Sequence, residues 1–216
     1  QFQGDYTEAI RYYQDSLHIA RDIGDHARTA GALNNLGLLK AELGRLEEAQ
    51  GDLEAGLQIF ETIGNRSGLA APIMNLGNLA RFQGRLEEAH KLFQEALTIY
   101  EETGDRAGVS VCLWSLGSLV RVQGEYDLAR KYYNDSLAIS REIGSPAGIG
   151  SSLEDLALVA RLQGRYDEAH GYLQEVLMMA GEVGDQHEVA NALLNLGGVA
   201  RVQKRYDEAR KYLQES

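Results

Sequence analysis

The chain has 216 residues, 44% of them apolar, 25% charged and only two of them proline, a balance that fits a soluble helical protein better than a disordered or membrane one. Its formal net charge of −11 opposes attraction to phosphate backbones, so no nucleic acid partner is expected, and the single cysteine, Cys112, excludes an internal disulfide. No run approaches the roughly 20 apolar residues that span a bilayer. The opening QFQGDYTEAI lacks the pattern of a signal peptide, so a cytoplasmic protein with no membrane partner is expected.

Residues 1–24 read as the second half of a helical hairpin, and complete hairpins then follow over 25–64, 65–104, 105–144 and 145–184 before a partial one at 185–216. The period is forty throughout. Gly24, Gly64, Gly104, Gly144 and Gly184 each precede a polar residue, Asp25, Asn65, Asp105, Ser145 or Asp185. Glycine tolerates the left-handed conformation that closes a helix, and the polar side chain accepts from the free amides opening the next. In 25–64 the first helix is expected from about His26 to Glu42. The second follows Gly44, from about Leu46 to Ile63, with Ala49, Leu53, Leu57 and Phe60 forming one apolar stripe. Pro72 lies inside the next predicted helix, where a kink or a frayed start is expected. At 145–184 proline stands at the first helical position, after Ser145, where it costs nothing. Ala157 replaces the glycine found at 37, 77, 117 and 197, and Lys204 replaces the turn glycine found at 44, 84, 124 and 164.

Neither helix of such a hairpin buries its stripe alone, so hairpins must stack on their neighbours. The run Leu193, Leu196, Gly197, Ala200, Tyr206, Ala209 and Leu213 resembles the tetratricopeptide repeat in its variant of about forty residues, and the resemblance covers the whole chain. Similar long repeats occur in kinesin light chains, spindle-orientation adaptors and the sensor arrays of bacterial signalling regulators. The resemblance implies an all-α, right-handed superhelical solenoid of antiparallel hairpins. It also implies a scaffold for a protein or peptide ligand, with the first helix of each hairpin lining a concave groove.

Carboxylate pairs recur as Glu47 and Glu48, Glu87 and Glu88, Asp167 and Glu168, and Asp207 and Glu208, each in a first helical turn. They complement the helix dipole there, and their repetition argues against an active site. His90 and His170 lie two repeats apart, too far to share a metal, and neither a phosphate-binding loop nor a nucleophile elbow occurs. Cys112, within VCLW, reads as a core residue. No enzyme, metal or cofactor is expected.

Helical spacing places Asn34 and Leu38, then Met74, Asn75, Asn78 and Arg81, on the open face of the first helices. It places Trp114, Ser118 and Arg121, then Glu154, Leu158 and Arg161, and finally Leu194, Asn195, Gly198 and Arg201, on the same face. Arginines 81, 121, 161 and 201 form a ladder suited either to an acidic segment or to acidic residues of neighbouring helices. Trp114 is either a ligand anchor or packed on the next hairpin. The amides can bond an extended peptide backbone. The incomplete terminal hairpins read as a piece of a larger signalling protein. Ile10, Tyr13 and Leu17 with Tyr206, Tyr212 and Leu213 offer head-to-tail self-association as the alternative function. The irregularities at 72, 157 and 204 argue against an idealised, engineered array.

Overall fold

The computed structural model describes residues 2–216, with side chains from Glu8 onward. Eleven helices and no strand occur among them. They are α1 (Phe2–Asp22), α2 (His26–Glu42), α3 (Leu46–Thr62), α4 (Arg66–Phe82), α5 (Leu86–Thr103), α6 (Arg106–Val122), α7 (Tyr126–Glu142), α8 (Pro146–Leu162), α9 (Tyr166–Val183), α10 (Gln186–Val202) and α11 (Tyr206–Glu215). They fall into two compact units, Gln1–Cys112 and Leu113–Ser216. In the first, each helix from α1 to α5 packs on the next, and α2 also touches α4. In the second, α7 to α11 pack in the same consecutive way.

The helices end where the sequence punctuation says they should. Gly44 takes φ 74°; its N–H donates to the Ala41 carbonyl at 3.0 Å, and that of Arg45 to Lys40 at 2.9 Å. These are the two bonds that satisfy the last carbonyls of a helix closed by a left-handed residue. Lys204 makes the equivalent pair, to Arg201 at 3.0 Å and through Arg205 to Ala200 at 2.9 Å, with φ 60°. It is the sole non-glycine residue at positive φ among the described residues.

At the alternate turns the side chains of Asp25, Asn65, Asp105, Ser145 and Asp185 accept from the amides three residues on, at 2.9–3.3 Å. The frayed start expected from Pro72 is not found: α4 is continuous from Arg66, and Asn65 caps it. Close packing holds that first turn, since a Cβ on Gly68 would lie 2.4 Å from the Phe60 ring.

Leu53, Leu79, Phe93 and Ile99 are fully enclosed in the first unit. In the second, Tyr133, Leu153, Leu156, Val159 and Val176 form one buried cluster. Ala157 sits with Leu173 in another. At the corresponding place in the first unit, a Cβ on Gly77 would come within 2.7 Å of the Phe93 ring. Ala157 thus meets Leu173 where Gly77 meets the Phe93 ring, although a Cβ on Gly37 would lie 2.6 Å from Leu53 as well.

The recurrent carboxylates have structural partners. Glu48, Glu88, Glu168 and Glu208 each turn back to the arginine three residues earlier, at 2.5, 2.5, 3.8 and 2.9 Å. At 125 and 128 the repeat has Glu125 in place of that arginine and Leu128 in place of the acid. The neighbouring acids reach the next turn: Asp127 accepts from Gln163 at 3.0 Å and Asp167 from Gln203 at 2.8 Å.

The left-handed conformation costs an ordinary L-residue about 1 kcal/mol, and nothing lies within 4 Å of where a Cβ would stand at the sister position Gly164. Lys204→Gly is therefore expected to stabilise the protein by about 1 kcal/mol, read from the denaturant midpoint. Gly164→Lys should cost about the same.

Candidate functional site

In the first unit the predicted face lies on α2 and α4. Asn75 is buried and its Nδ2 donates to Asn34 Oδ1 at 2.9 Å, which ties the two helices through their amides. Leu38 is exposed, while Met74, Asn78 and Arg81 are half-buried. The Arg81 guanidinium lies 4.9 Å from the centre of the Phe82 ring. Leu38 is therefore the most open of these groups.

In the second unit the ladder divides. Arg121 Nε donates to Tyr133 Oη at 3.2 Å and lies 3.7 Å from Asp155 of α8. Tyr133 in turn donates to Ser118 Oγ at 3.1 Å, and both Tyr133 and Ser118 are buried. Arg121 and Ser118 are thus committed to packing. Arg161 and Arg201 are exposed and form no ion pair among the described residues. Trp114 is half-buried: it packs on the core cluster around Tyr133 and also lines a cleft of about 330 Å³. Its indole Nε1 is enclosed without a hydrogen-bond partner among the described residues.

Trp114, Leu158, Arg161 and Asn195 line that cleft together, and Ser151, Glu154, Asp155, Ala157, Leu173 and Val199 complete its wall. Leu194 is 51% exposed. Asn195 Nδ2 donates to the Asn191 carbonyl at 3.1 Å, leaving its carbonyl oxygen to accept. Sequence reasoning set Glu154 among the face residues but did not see its partner. Burial first, then a hydrogen bond to Glu188 of α10 and the charges of Glu188 and Asp155, push the Glu154 carboxyl up to about 7. A helical register shows faces within one helix, and this pair joins two.

Elsewhere the reactive groups are quiet. Burial, then Asp105, pushes the Cys112 thiol up to about 12, so little thiolate is present at neutral pH. His170 Nε2 lies 3.1 Å from Tyr212 Oη and 3.4 Å from Glu208, a contact between α9 and α11 that the sequence reading missed. No group of three His, Cys, Asp or Glu could hold a metal ion among the described residues. No described helix is long and apolar enough to cross a membrane.

A tetratricopeptide repeat model matches residues 1–62, 28–102, 68–142, 111–182 and 148–216, leaving no part of the chain outside it. The chain belongs to the tetratricopeptide-repeat family. Such repeats are protein-interaction scaffolds. Among curated proteins, none matches the sequence. Among solved structures the repeats are similar to BtubC from P. vanneervenii, with a TM-score of 0.84, 17% identity, and coverage of 97% of this chain and 88% of that one. They are also similar to a signal-transduction ATPase with a tetratricopeptide-repeat sensor from Pyrococcus horikoshii, with a TM-score of 0.82 and 19% identity over 99% of this chain and 33% of that one. A Rap protein complexed with Competence and Sporulation Factor gives a TM-score of 0.80 and 13% identity, over 98% of this chain and 69% of that one. At these identities the likeness concerns the fold, that of tetratricopeptide-repeat solenoids.

The Glu154 carboxyl binds its proton more tightly folded than unfolded, so its ionisation opposes folding. Stability from this group falls as pH rises from about 4.5 through about 7. Glu154→Gln is therefore expected to raise the melting temperature more at pH 8 than at pH 5, as followed by circular dichroism.

Proposed function

We propose that the chain is a non-catalytic peptide- or protein-binding scaffold whose ligand lies along the first-helix face of the repeats. In this reading an apolar side chain of the ligand seats against Trp114 and Leu158, the Asn195 carbonyl oxygen accepts from its backbone, and Arg161 and Arg201 receive its carboxylates. The carrying observation is the cleft, where residues from α6, α8, α9 and α10 enclose about 330 Å³ behind an aromatic wall. Concave sites with apolar walls and a few placed polar groups are where ligands bind. The Rap protein of like fold in complex with Competence and Sporulation Factor, and the repeat sensor of the Pyrococcus ATPase, favour ligand binding over a purely structural role. Arg121 is left out of the ligand set because Asp155 and Tyr133 already hold it.

Self-association is the second reading. Tyr206 and Leu213 are 65% and 52% exposed on α11, and Tyr13 is exposed on α1, with Ile10 and Leu17 half-buried beside it. Tyr212 contributes less, since His170 and Glu208 occupy it.

Two measurements separate the readings. Affinity capture from lysate should lose its partners when Leu158→Glu and Arg161→Glu are combined, and keep them with Val183→Glu, an exposed change on α9 outside the cleft. Identical partner lists from two folded variants would remove the cleft reading. In sedimentation equilibrium, self-association predicts a mass that rises with protein concentration alone and that Leu213→Glu suppresses; a constant mass would eliminate it.

A further inference from the structure

The charged groups of the second unit's cleft are unequally matched. Asp155 has Arg121 at 3.7 Å. Glu154 lines the cleft, and Glu188 of α10 stands near enough to raise its proton affinity, yet no Lys, Arg or His forms a salt bridge with either among the described residues. Two carboxylates brought together without a counter-charge repel each other, and the half-buried position of Glu154 weakens the screening that water would supply. Arg161, the unpaired cation on the same wall, lies two turns further along α8, about 10 Å by helical rise. Between Glu154 and Arg161 stands Leu158, which lines the cleft with them. The wall therefore runs from acid through apolar to base.

Resting on the cleft reading above, we infer that the cleft takes an extended segment carrying both charges: a cationic side chain at Glu154 and Glu188, an apolar side chain at Leu158 and Trp114, and a carboxylate at Arg161. In a segment of polyproline II conformation, with three residues per turn, residues three apart share a face and stand about 9 Å apart, so the ligand's basic and acidic residues stand three apart. The basic group supplies the charge that the carboxylate pair lacks. Its arrival expels the proton held by the pair, so binding tightens as pH rises through neutrality. Asp155 on α8 adds its charge beside the pair, and Arg121 lies 3.7 Å from Asp155.

Trp114 is the chain's single tryptophan, so its fluorescence reports on the cleft directly. Three pools of acetylated, amidated hexapeptides serve as probes: Gly-Lys-Leu-X-Glu-Gly, the same with Gln for Lys, and the same with Gln for Glu, X being any uncharged residue. At pH 8 the Lys and Glu pool should bind at least about fivefold more tightly than either Gln pool, the scale of one partly exposed ion pair. Its advantage over the Lys-to-Gln pool should shrink at pH 5.5, and should vanish in the doubly substituted Glu154→Gln, Glu188→Gln protein, whose melting is checked first. Equal binding of the Lys and Gln-for-Lys pools at pH 8, or a preference that survives the double substitution, would overturn the inference while leaving the cleft as a peptide site. A fluorescence unchanged by all three pools would overturn both.

Discussion

The left-handed residue that reverses the chain about every twenty residues is the constraint on which the rest depends. It admits a turn of only a few residues, satisfies the last carbonyls of one helix, and delivers the next helix to its cap. Helix length is thereby pinned to 17 or 18 residues from α2 to α10. With length fixed, the same sequence position returns to the same face in each repeat. Lys204 shows how strong the constraint is: the backbone takes positive φ there although the residue has a Cβ.

Identical register does not mean identical chemistry. The arginines at 121, 161 and 201 occupy one position, but only the first meets an acid on the following first helix, because Asp155 takes the place that Asn195 takes one repeat later. A basic residue on a repeated face is thus tied or left without an ion pair according to one neighbour 34 residues away in sequence. The same logic produces the unneutralised pair at Glu154, which needs Glu188 on another helix to exist. Variation between repeats, more than the repeat itself, distinguishes the cleft from the rest of the face.

Much of the surface that resembles chemistry is architecture. The carboxylates of the first turns close on arginines three residues back or accept from the glutamine of the next turn. The sequence reading assigned these carboxylates to the helix dipole alone and did not see the arginine three residues back. The glutamine contact was not legible, since its partners stand 36 residues apart and only stacking brings them together.

Periodicity, glycine punctuation and cap residues determined by themselves the helices, their ends and the hairpin plan, because all of these are set by backbone geometry and by neighbours within a turn. Helical spacing likewise put Trp114, Leu158, Arg161 and Asn195 on one expected face. Only the tertiary structure decided that these four share a cleft, that Ser118 and Arg121 serve Tyr133, and that Asn75 is spent on Asn34. The reason is physical: a helix fixes which way a side chain leaves its own axis, whereas what that side chain meets depends on how the next helix packs.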